Sequence, residues 1–299
     1  MALNAALRVG EPAGASALKQ PAPHVSLAVA AFVSALILAG VVGLGLAIAF
    51  LSSRGRFPSA RRPRIQPQVL LISFLVFLVA NLVLGGCFGL AIMLLGFDLD
   101  TGVGAAVHLA GQILAMLGAL ALGLSLLRWL TSHTLEDARE IGWMVGPIGR
   151  AMAWGAAGYC AALPFMIAGL VMSQRLSQVL FKHAPKPEHP IVPVLLRGGT
   201  AFAVAVVLAV VVAPIVEETF FRGMLYNALR GMMGVWGASI LSGAIFAIVH
   251  PTMPVGFLPI LALGMVLAML RESTGSLVPS MICHGINNAV ALTLARLIY

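Results

Sequence analysis

Charged residues are scarce in this chain: Asp, Glu, Lys and Arg make up only 9% of its 299 residues, whereas 60% of the residues are hydrophobic. A soluble globular domain carries roughly 25% charged residues, so this composition cannot cover a surface that faces water. The mean hydropathy of +1.02 agrees with this exclusion. The sequence therefore predicts an integral, multi-pass membrane protein, which we expect in the plasma (inner) membrane.

Cysteine and several catalytic signatures are also scarce or absent. The three cysteines stand alone, without the CxxC spacing of a zinc or redox site, and imply no disulfide framework. The sequence has no HExxH, no serine in a GxSG setting and no aspartate within an apolar run, which leaves those protease chemistries without residues. The basic residues lie at the ends of apolar runs and form no continuous patch, so we expect no nucleic acid as partner.

Long apolar runs dominate what is present. Each can cross a hydrocarbon core of about 30 Å as a helix, or nearly so, and none alternates as a barrel strand does. The fold class predicted is all-α: a polytopic transmembrane helical bundle of about eight membrane helices. The runs lie near residues 26–51, 68–96, 103–127, 151–172, 199–217, 235–250, 254–270 and 277–298. Residues 1–25, with three prolines, are predicted to form a flexible N-terminal tail.

The connections between the runs indicate an orientation. The first holds the densest basic cluster, five arginines between residues 54 and 64, which predicts a cytoplasmic position and places both termini outside. On this topology Arg222, Arg230 and Arg271 also lie in cytoplasmic connections, although the basic residues of the loop 173–198 oppose it. A short polar helix is predicted at the interface within 131–150, and the four prolines of 182–193 preclude a helix there.

Two acidic residues stand out from the ten. Glu217 and Glu218 close an apolar run, whereas the other eight fall in tails, loops or the short polar segment. By position alone they are either a functional site near membrane depth or a helix end that emerges among headgroups. Residues four apart share a helix face, so Glu218 can pair with Arg222 while Glu217, about 100° away, stays free. A free carboxylate in an apolar setting suits a general base.

Two histidines complete the constellation. His250 follows Phe246 by one helical turn, and His284 precedes Asn288 by the same spacing, so each pair shares a helix face. Both histidines lie in or beside apolar runs, within the same stretch of about 90 residues as the glutamates. So many polar groups close together in so uncharged a chain indicate one shared site.

Three segments carry a family resemblance: Glu217-Glu218-x-x-x-Arg222, Phe246-x-x-x-His250 and His284-x-x-x-Asn288. In order and separation they resemble the signature motifs of the CPBP intramembrane proteases, the type II CAAX prenyl endopeptidase or CAAX protease and bacteriocin-processing family. The match covers about residues 197–296. The resemblance implies a CAAX-protease-like catalytic membrane domain over 191–299, and it leaves the membrane helices of 26–190 without an assigned role.

The resemblance also implies roles and partners. Glu217 would activate water with His250 as its partner, His284 and Asn288 would stabilise the oxyanion, and Glu218 and Arg222 would orient the site. Asn287 stays an alternative donor. No cofactor is certain; a divalent metal such as zinc stays open, with Glu217, His250 and His284 as candidate ligands. The expected partners are the lipid bilayer and a membrane protein or peptide substrate, either a prenylated CAAX protein or a bacteriocin-like peptide.

Two other functions compete with the protease. One is a non-enzymatic membrane scaffold or bacteriocin-immunity protein that keeps the polar constellation for binding. The other is a transporter whose path is lined by the same ionisable groups, although the chain has no inverted repeat.

Overall fold

The computed structural model describes residues 23–52, 64–131, 139–143, 146–180 and 199–298. Within these residues all regular secondary structure is helical, and no strand is present, which confirms the predicted all-α class. Seven helices follow one another along the described chain: α1 (Pro23–Ser52), α2 (Pro67–Leu94), α3 (Gly102–Leu130), α4 (Ile148–Leu180), α5 (Gly199–Ile248), α6 (Phe257–Thr274) and α7 (Val278–Ile298).

Five of these helices, α2 to α6, are long and apolar enough to cross a membrane, and α1 contains a shorter apolar stretch, Ala31–Gly45. The predicted count of about eight is approximate, because the runs 199–217 and 235–250 both belong to α5. Gly234 breaks that helix with φ +82°, a conformation that glycine adopts without steric cost. The residues from 218 to 233 are helical, so the prediction that Arg222 and Arg230 lie in a connection is wrong.

Local sequence signals explain several helix ends. Pro67 lies in the first turn of α2, where its missing N–H removes no helical hydrogen bond. Thr101 caps α3 by accepting a hydrogen bond from the Gly104 N–H at 3.0 Å. Gly275, with φ +70°, ends α6. The α1 helix begins at Pro23, within the range predicted as a tail, while the rest of the tail and the proline-rich segment 182–193 lie outside the described residues.

The larger hydrophobic core joins α2 and α3 to α5. Its centre is a set of phenylalanines: the rings of Phe77 and Phe220 stack with centroids 3.7 Å apart, and Phe74 meets Phe221 edge to face at 5.2 Å. A second core joins α4 to α6 and α7 through Tyr159, Leu267 and Cys283. The polar residues of the three motifs lie where α5, α6 and α7 meet, between these two cores.

The connection between α3 and α4 is described in part. Residues 132–138 lie outside the described part of the chain. Residues 139–143 pack into the protein, with Ile141 2% exposed, and the short polar helix at the membrane interface stays a prediction.

Candidate active site

Two wide helical turns surround the glutamate pair on α5. The segments Val207–Val212 and Phe221–Leu225 are π-helical, and the α-helical segment Ala213–Phe220 lies between them. Such turns insert one residue into a helix and are frequent at functional sites. Glu217 and Glu218 therefore lie on a short, regular stretch between two distorted ones.

Glu218 lies at the centre of a buried polar network. Its Oε1 accepts a hydrogen bond from Arg222 Nη1 at 2.8 Å and lies 3.0 Å from His284 Nδ1. Glu218 and Arg222 are completely buried, and His284 is 2% exposed. The predicted pair between Glu218 and Arg222 is present, and the contact with His284 adds a long-range partner from α7.

Arg222 links this network to α6 and to an aromatic ring. Its Nη2 donates to the Gly264 carbonyl at 3.2 Å, and its guanidinium lies over the Phe246 ring, 4.3 Å from the centroid. A Cβ on Gly264 would lie 2.8 Å from the Gly243 Cα, so the absent side chain lets α6 approach α5 closely. Arg222 thus makes three contacts inside the protein: a charge-assisted hydrogen bond, a hydrogen bond to a neutral carbonyl and a cation–π contact.

Glu217 is held differently from its neighbour. Its side chain is 22% exposed, and its Oε2 lies 3.9 Å from His284 Nε2, beyond hydrogen-bond distance. That oxygen is buried and has no hydrogen-bond partner within the described protein. One carboxylate is therefore fixed by two partners, and the other lies beside the same histidine with an unpaired oxygen.

The Phe246 ring contacts both histidines as well as the guanidinium of Arg222. Its ring meets His250 at 4.4 Å and His284 at 5.5 Å between centroids, both edge to face. His250 Nδ1 lies 2.7 Å from the Phe246 carbonyl. Because a carbonyl only accepts, Nδ1 carries the proton, and Nε2 of a neutral His250 is left as an acceptor.

Asn288 donates a hydrogen bond to a carbonyl of α5 that has no backbone donor. The Ala213 N–H bonds to Leu208 O in π-helical register, and Pro214 has no N–H, so neither following residue serves the Ala209 carbonyl. Asn288 Nδ2 donates to that carbonyl at 2.7 Å. The neighbouring Asn287 donates to Asn288 Oδ1 at 3.2 Å. Asn287 thus contacts Asn288 rather than the glutamates. The second N–H of the Asn288 side-chain amide has no hydrogen-bond acceptor among the described residues.

The three candidate metal ligands do not converge on one point. Among the described residues, no three His, Cys, Asp or Glu side chains form a group that could hold a metal ion. His284 Nδ1 faces Glu218, and His250 Nδ1 faces a carbonyl, so only one nitrogen of each ring is available. The described residues as arranged do not fit a three-ligand metal site.

The structure thus brings together Glu217, Glu218, Arg222 and His284 directly, places His250 beside them through Phe246, and places Asn288 on the same α5–α7 contact. Sequence reasoning treated Phe246 only as a motif position and did not assign Pro214 or Gly264 a place in the site. A proline inside a helix, such as Pro214 three residues before Glu217, is a sequence signal for a carbonyl without a backbone donor. Nothing in the sequence indicates which side chain covers that carbonyl.

Comparison with known proteins agrees with this geometry. Residues 199–290 match the family model described as type II CAAX prenyl endopeptidase Rce1-like. No curated protein and no solved structure matches the chain. The matched range contains all three motifs and confirms the resemblance found from them. Residues 199–290 of this integral membrane protein are therefore similar to the CAAX-type protease domain of the Rce1-like family.

Proposed function

We propose that the chain is an intramembrane endopeptidase that hydrolyses a peptide bond of a membrane-associated protein or peptide with a water activated by Glu217. The observation that carries the proposal is that two adjacent carboxylates make different contacts with one histidine, His284. Glu218 is bonded to Arg222 and His284, whereas Glu217 keeps an unpaired oxygen 3.9 Å from the other nitrogen of that ring.

Glu217 is the general base in this proposal. A separation of 3.9 Å is too long for a direct hydrogen bond, but one water oxygen can lie about 2.8 Å from both atoms. Glu217 takes a proton from that water as the oxygen attacks the carbonyl carbon of the substrate. General acid–base assistance of this kind contributes about 10²–10⁴-fold to a rate.

Glu218 and Arg222 orient His284. In the ion pair with Arg222, Glu218 is a carboxylate that can only accept, and the Nδ1 of His284 is the donor in their contact. This bond fixes the ring plane and directs Nε2 towards Glu217. When both ring nitrogens are protonated, Nε2–H becomes a donor for the negative charge that develops on the substrate oxygen.

Asn288 supplies a second donor for that oxygen. One of its N–H groups is anchored on Ala209 O, which fixes the amide plane, and the other remains for the oxyanion. His250 Nε2 is an acceptor that shares the proton of Glu217 and returns it to the leaving amine. After this transfer Glu217 is again a carboxylate, and the peptide bond has gained the elements of water.

The substrates we propose are of two chemical classes, a prenylated protein with a CAAX end or a bacteriocin-like peptide. Both bring a cleavable segment to the lipid bilayer, which the five helices α2 to α6 are long and apolar enough to cross. The plasma membrane is the membrane in which we propose that the enzyme works.

The test is a comparison of membrane proteomes from cells that express the wild type, Glu217→Gln, or the control Asp98→Asn. Glutamine keeps the size of the side chain but cannot take a proton, so cleavage products should fall at least 100-fold. The control changes an exposed carboxylate in the connection between α2 and α3 and should leave the products unchanged.

Equal products from wild type and Glu217→Gln would overturn the proposal. If Glu217→Gln also complemented a deletion of the gene, the non-enzymatic scaffold would replace it. A solute flux in proteoliposomes that Glu217→Gln abolished would favour the transporter.

A further inference from the structure

A five-residue segment from the N-terminal half of the chain packs against the catalytic helices. We call residues 139–143, which lie between α3 and α4, the 139–143 strap. The strap contacts the segment before α2, the helices α5 and α6, and the start of α7. It is a contribution to the active-site region from a part of the chain outside the matched domain.

The hydrophobic contact of the strap is with the π-helical turn that bears Arg222. Ile141 belongs to the same buried core as Phe221 and Phe246. The backbone of Gly223 passes so close that an added Cβ would lie 3.0 Å from Ile141 O. The strap therefore packs directly on the turn Phe221–Leu225, one residue from the guanidinium that holds Glu218.

Both ends of Glu140 hold the strap in this position. Its carboxylate Oε2 accepts hydrogen bonds from the backbone N–H groups of Arg64 and Ile65, at 2.9 and 3.1 Å. Its carbonyl accepts from Arg271 Nη2 at 2.9 Å and from Asn227 Nδ2 at 3.4 Å. A single residue thus ties the segment before α2 to both α5 and α6.

The next residue makes the close approach possible. Gly142 has φ +98°, and an added Cβ would lie 2.6 Å from Arg271 Nε. Its carbonyl accepts the Leu277 N–H at 2.9 Å, at the start of α7. The strap therefore also contacts the helix that carries His284, so it touches every helix that brings a polar group to Glu218.

A second buried polar cluster continues the same face of α5. Glu272 is 1% exposed and accepts from Tyr226 OH at 2.8 Å and from Arg230 Nη2 at 3.2 Å. The residues Glu218, Arg222, Tyr226 and Arg230 follow one another at intervals of four along α5. Glu272, predicted to lie in a tail, a loop or the short polar segment, therefore lies within α6 and secures that helix to this face of α5.

We propose that Glu140 is a positioning residue for the reaction of Glu217. It holds the 139–143 strap against the turn Phe221–Leu225, and that turn holds Arg222 in contact with Glu218. Without the two bonds of the carboxylate the strap loses its link to the segment before α2, and the turn is free to shift. Glu218 then orients His284 less well. This inference rests on the proposed function, and it assigns a role to the helices of 26–190, which complete the site from outside the matched domain.

The test compares Glu140→Ala and Glu140→Gln with wild type in purified, detergent-solubilised protein. The probe is an internally quenched peptide that spans the strongest cleavage site found in the proteomic comparison. Both backbone bonds end on one oxygen, Oε2, so Glu140→Gln can keep them and should retain kcat within twofold. Glu140→Ala should lower kcat at least fivefold, with KM and the unfolding temperature unchanged. Amide hydrogen exchange should become faster at residues 221–225.

The control is Asp98→Ala, in the connection between α2 and α3. The Asp98 carboxylate also accepts a hydrogen bond from a backbone N–H, that of Asp100, at 2.8 Å. The substitution should leave kcat unchanged. The proposal is overturned if Glu140→Ala keeps kcat within twofold. It is also overturned if the loss of activity comes with an equal loss of stability and Glu140→Gln does not restore it. In both cases an inactive Glu217→Gln leaves the proposed function intact, whereas a fully active Glu217→Gln overturns the two together.

Discussion

At the residue scale, the site holds two charged side chains, Glu218 and Arg222, in a fully buried position. A buried charge is costly unless partners replace its hydration, and Glu218 and Arg222 have no exposed surface at all. Arg222 meets the carboxylate, the Gly264 carbonyl and the Phe246 ring in three directions. A planar guanidinium is suited to this combination, because it donates at its edge and stacks on its face.

The substitution Arg222→Lys tests whether that geometry, and not the charge alone, is needed. An ammonium group can pair with Glu218 but cannot also reach Gly264 and cover the Phe246 ring, so a buried acceptor loses its donor. We expect kcat to fall at least tenfold and the free energy of unfolding to fall by about 1–3 kcal/mol. Peptide cleavage and thermal unfolding in detergent measure the two effects.

The matched control is Arg230→Lys on the same face of α5. Arg230 also bonds to a carboxylate, Glu272, but its side chain is 13% exposed, whereas that of Arg222 is completely buried. We expect its activity to stay within threefold of wild type. If both lysine variants lost activity equally, the special geometry assigned to Arg222 would be refuted.

At the element scale, α5 is a long helix whose irregularities place the functional groups. Pro214 removes an N–H, the π-helical turns change the register on both sides of the glutamates, and Gly234 ends the first part of the helix. The carbonyl left free on Ala209 is covered by Asn288, and the backbone of Gly285 lies against the next carbonyl, that of Val210. The irregularity of one helix is therefore matched by the polar and small residues of α7.

The substitution Pro214→Ala should separate stability from activity. Alanine is the better helix former by about 3 kcal/mol in a helix interior, and its N–H competes with Asn288 for the carbonyls of Ala209 and Val210. We expect the unfolding temperature to stay equal or rise, while kcat falls about tenfold because Asn288 loses its anchor. Thermal unfolding and peptide cleavage on the same preparation measure both.

Pro164→Ala is the control, because Pro164 also lies inside a long helix, α4, and outside the three motifs. This variant should gain stability without losing activity. A Pro214→Ala protein with wild-type kcat would show that the bond from Asn288 to Ala209 has no part in the reaction.

How much the sequence predicts depends on the range of each interaction. The pair of Glu218 and Arg222 follows from a spacing of four within one helix, and the class of fold follows from apolar runs. The contact of Glu218 with His284 joins residues 66 positions apart and depends on how α5 packs on α7. The continuation of α5 through 218–233 could not be predicted from hydropathy, because Arg222 and Arg230 are polar in sequence but are neutralised, Arg222 by Glu218 on α5 and Arg230 by Glu272 on α6.

The other eight acids illustrate the same limit. Asp98 lies in an exposed connection as its position indicates, and it bonds within its own loop. Glu140 and Glu272 also occupy positions near predicted helix ends, yet each is a partner of distant groups. Sequence position alone does not distinguish an acid that faces water from one that joins two halves of a protein.

At the scale of the whole molecule, hydrogen bonds indicate which helix ends lie together. Glu140 bonds to Arg64 and Ile65, just before α2, and to Arg271, near the end of α6. The break in α5 follows Asn227, which contacts the same carbonyl. These ends therefore lie on one side, whereas the connections 95–101 and 249–256 lie at the opposite ends of their helices.

The five arginines between residues 54 and 64, in the connection between α1 and α2, predict which side is cytoplasmic. In a protein whose Cys87 and Cys160 are replaced by serine and alanine, a cysteine in place of Arg139 should react with a membrane-impermeant maleimide only after the cells are permeabilised. A cysteine in place of Met253, in the connection 249–256 and 44% exposed, should react in intact cells. Cys283 is buried and can remain. The reverse pattern would invert the topology and keep the fold, because all the helices would turn over together. Labelling of both positions from the same side would contradict the arrangement of α5 and α6 itself, since Arg139 and Met253 then could not lie at opposite ends of the helices that form the site.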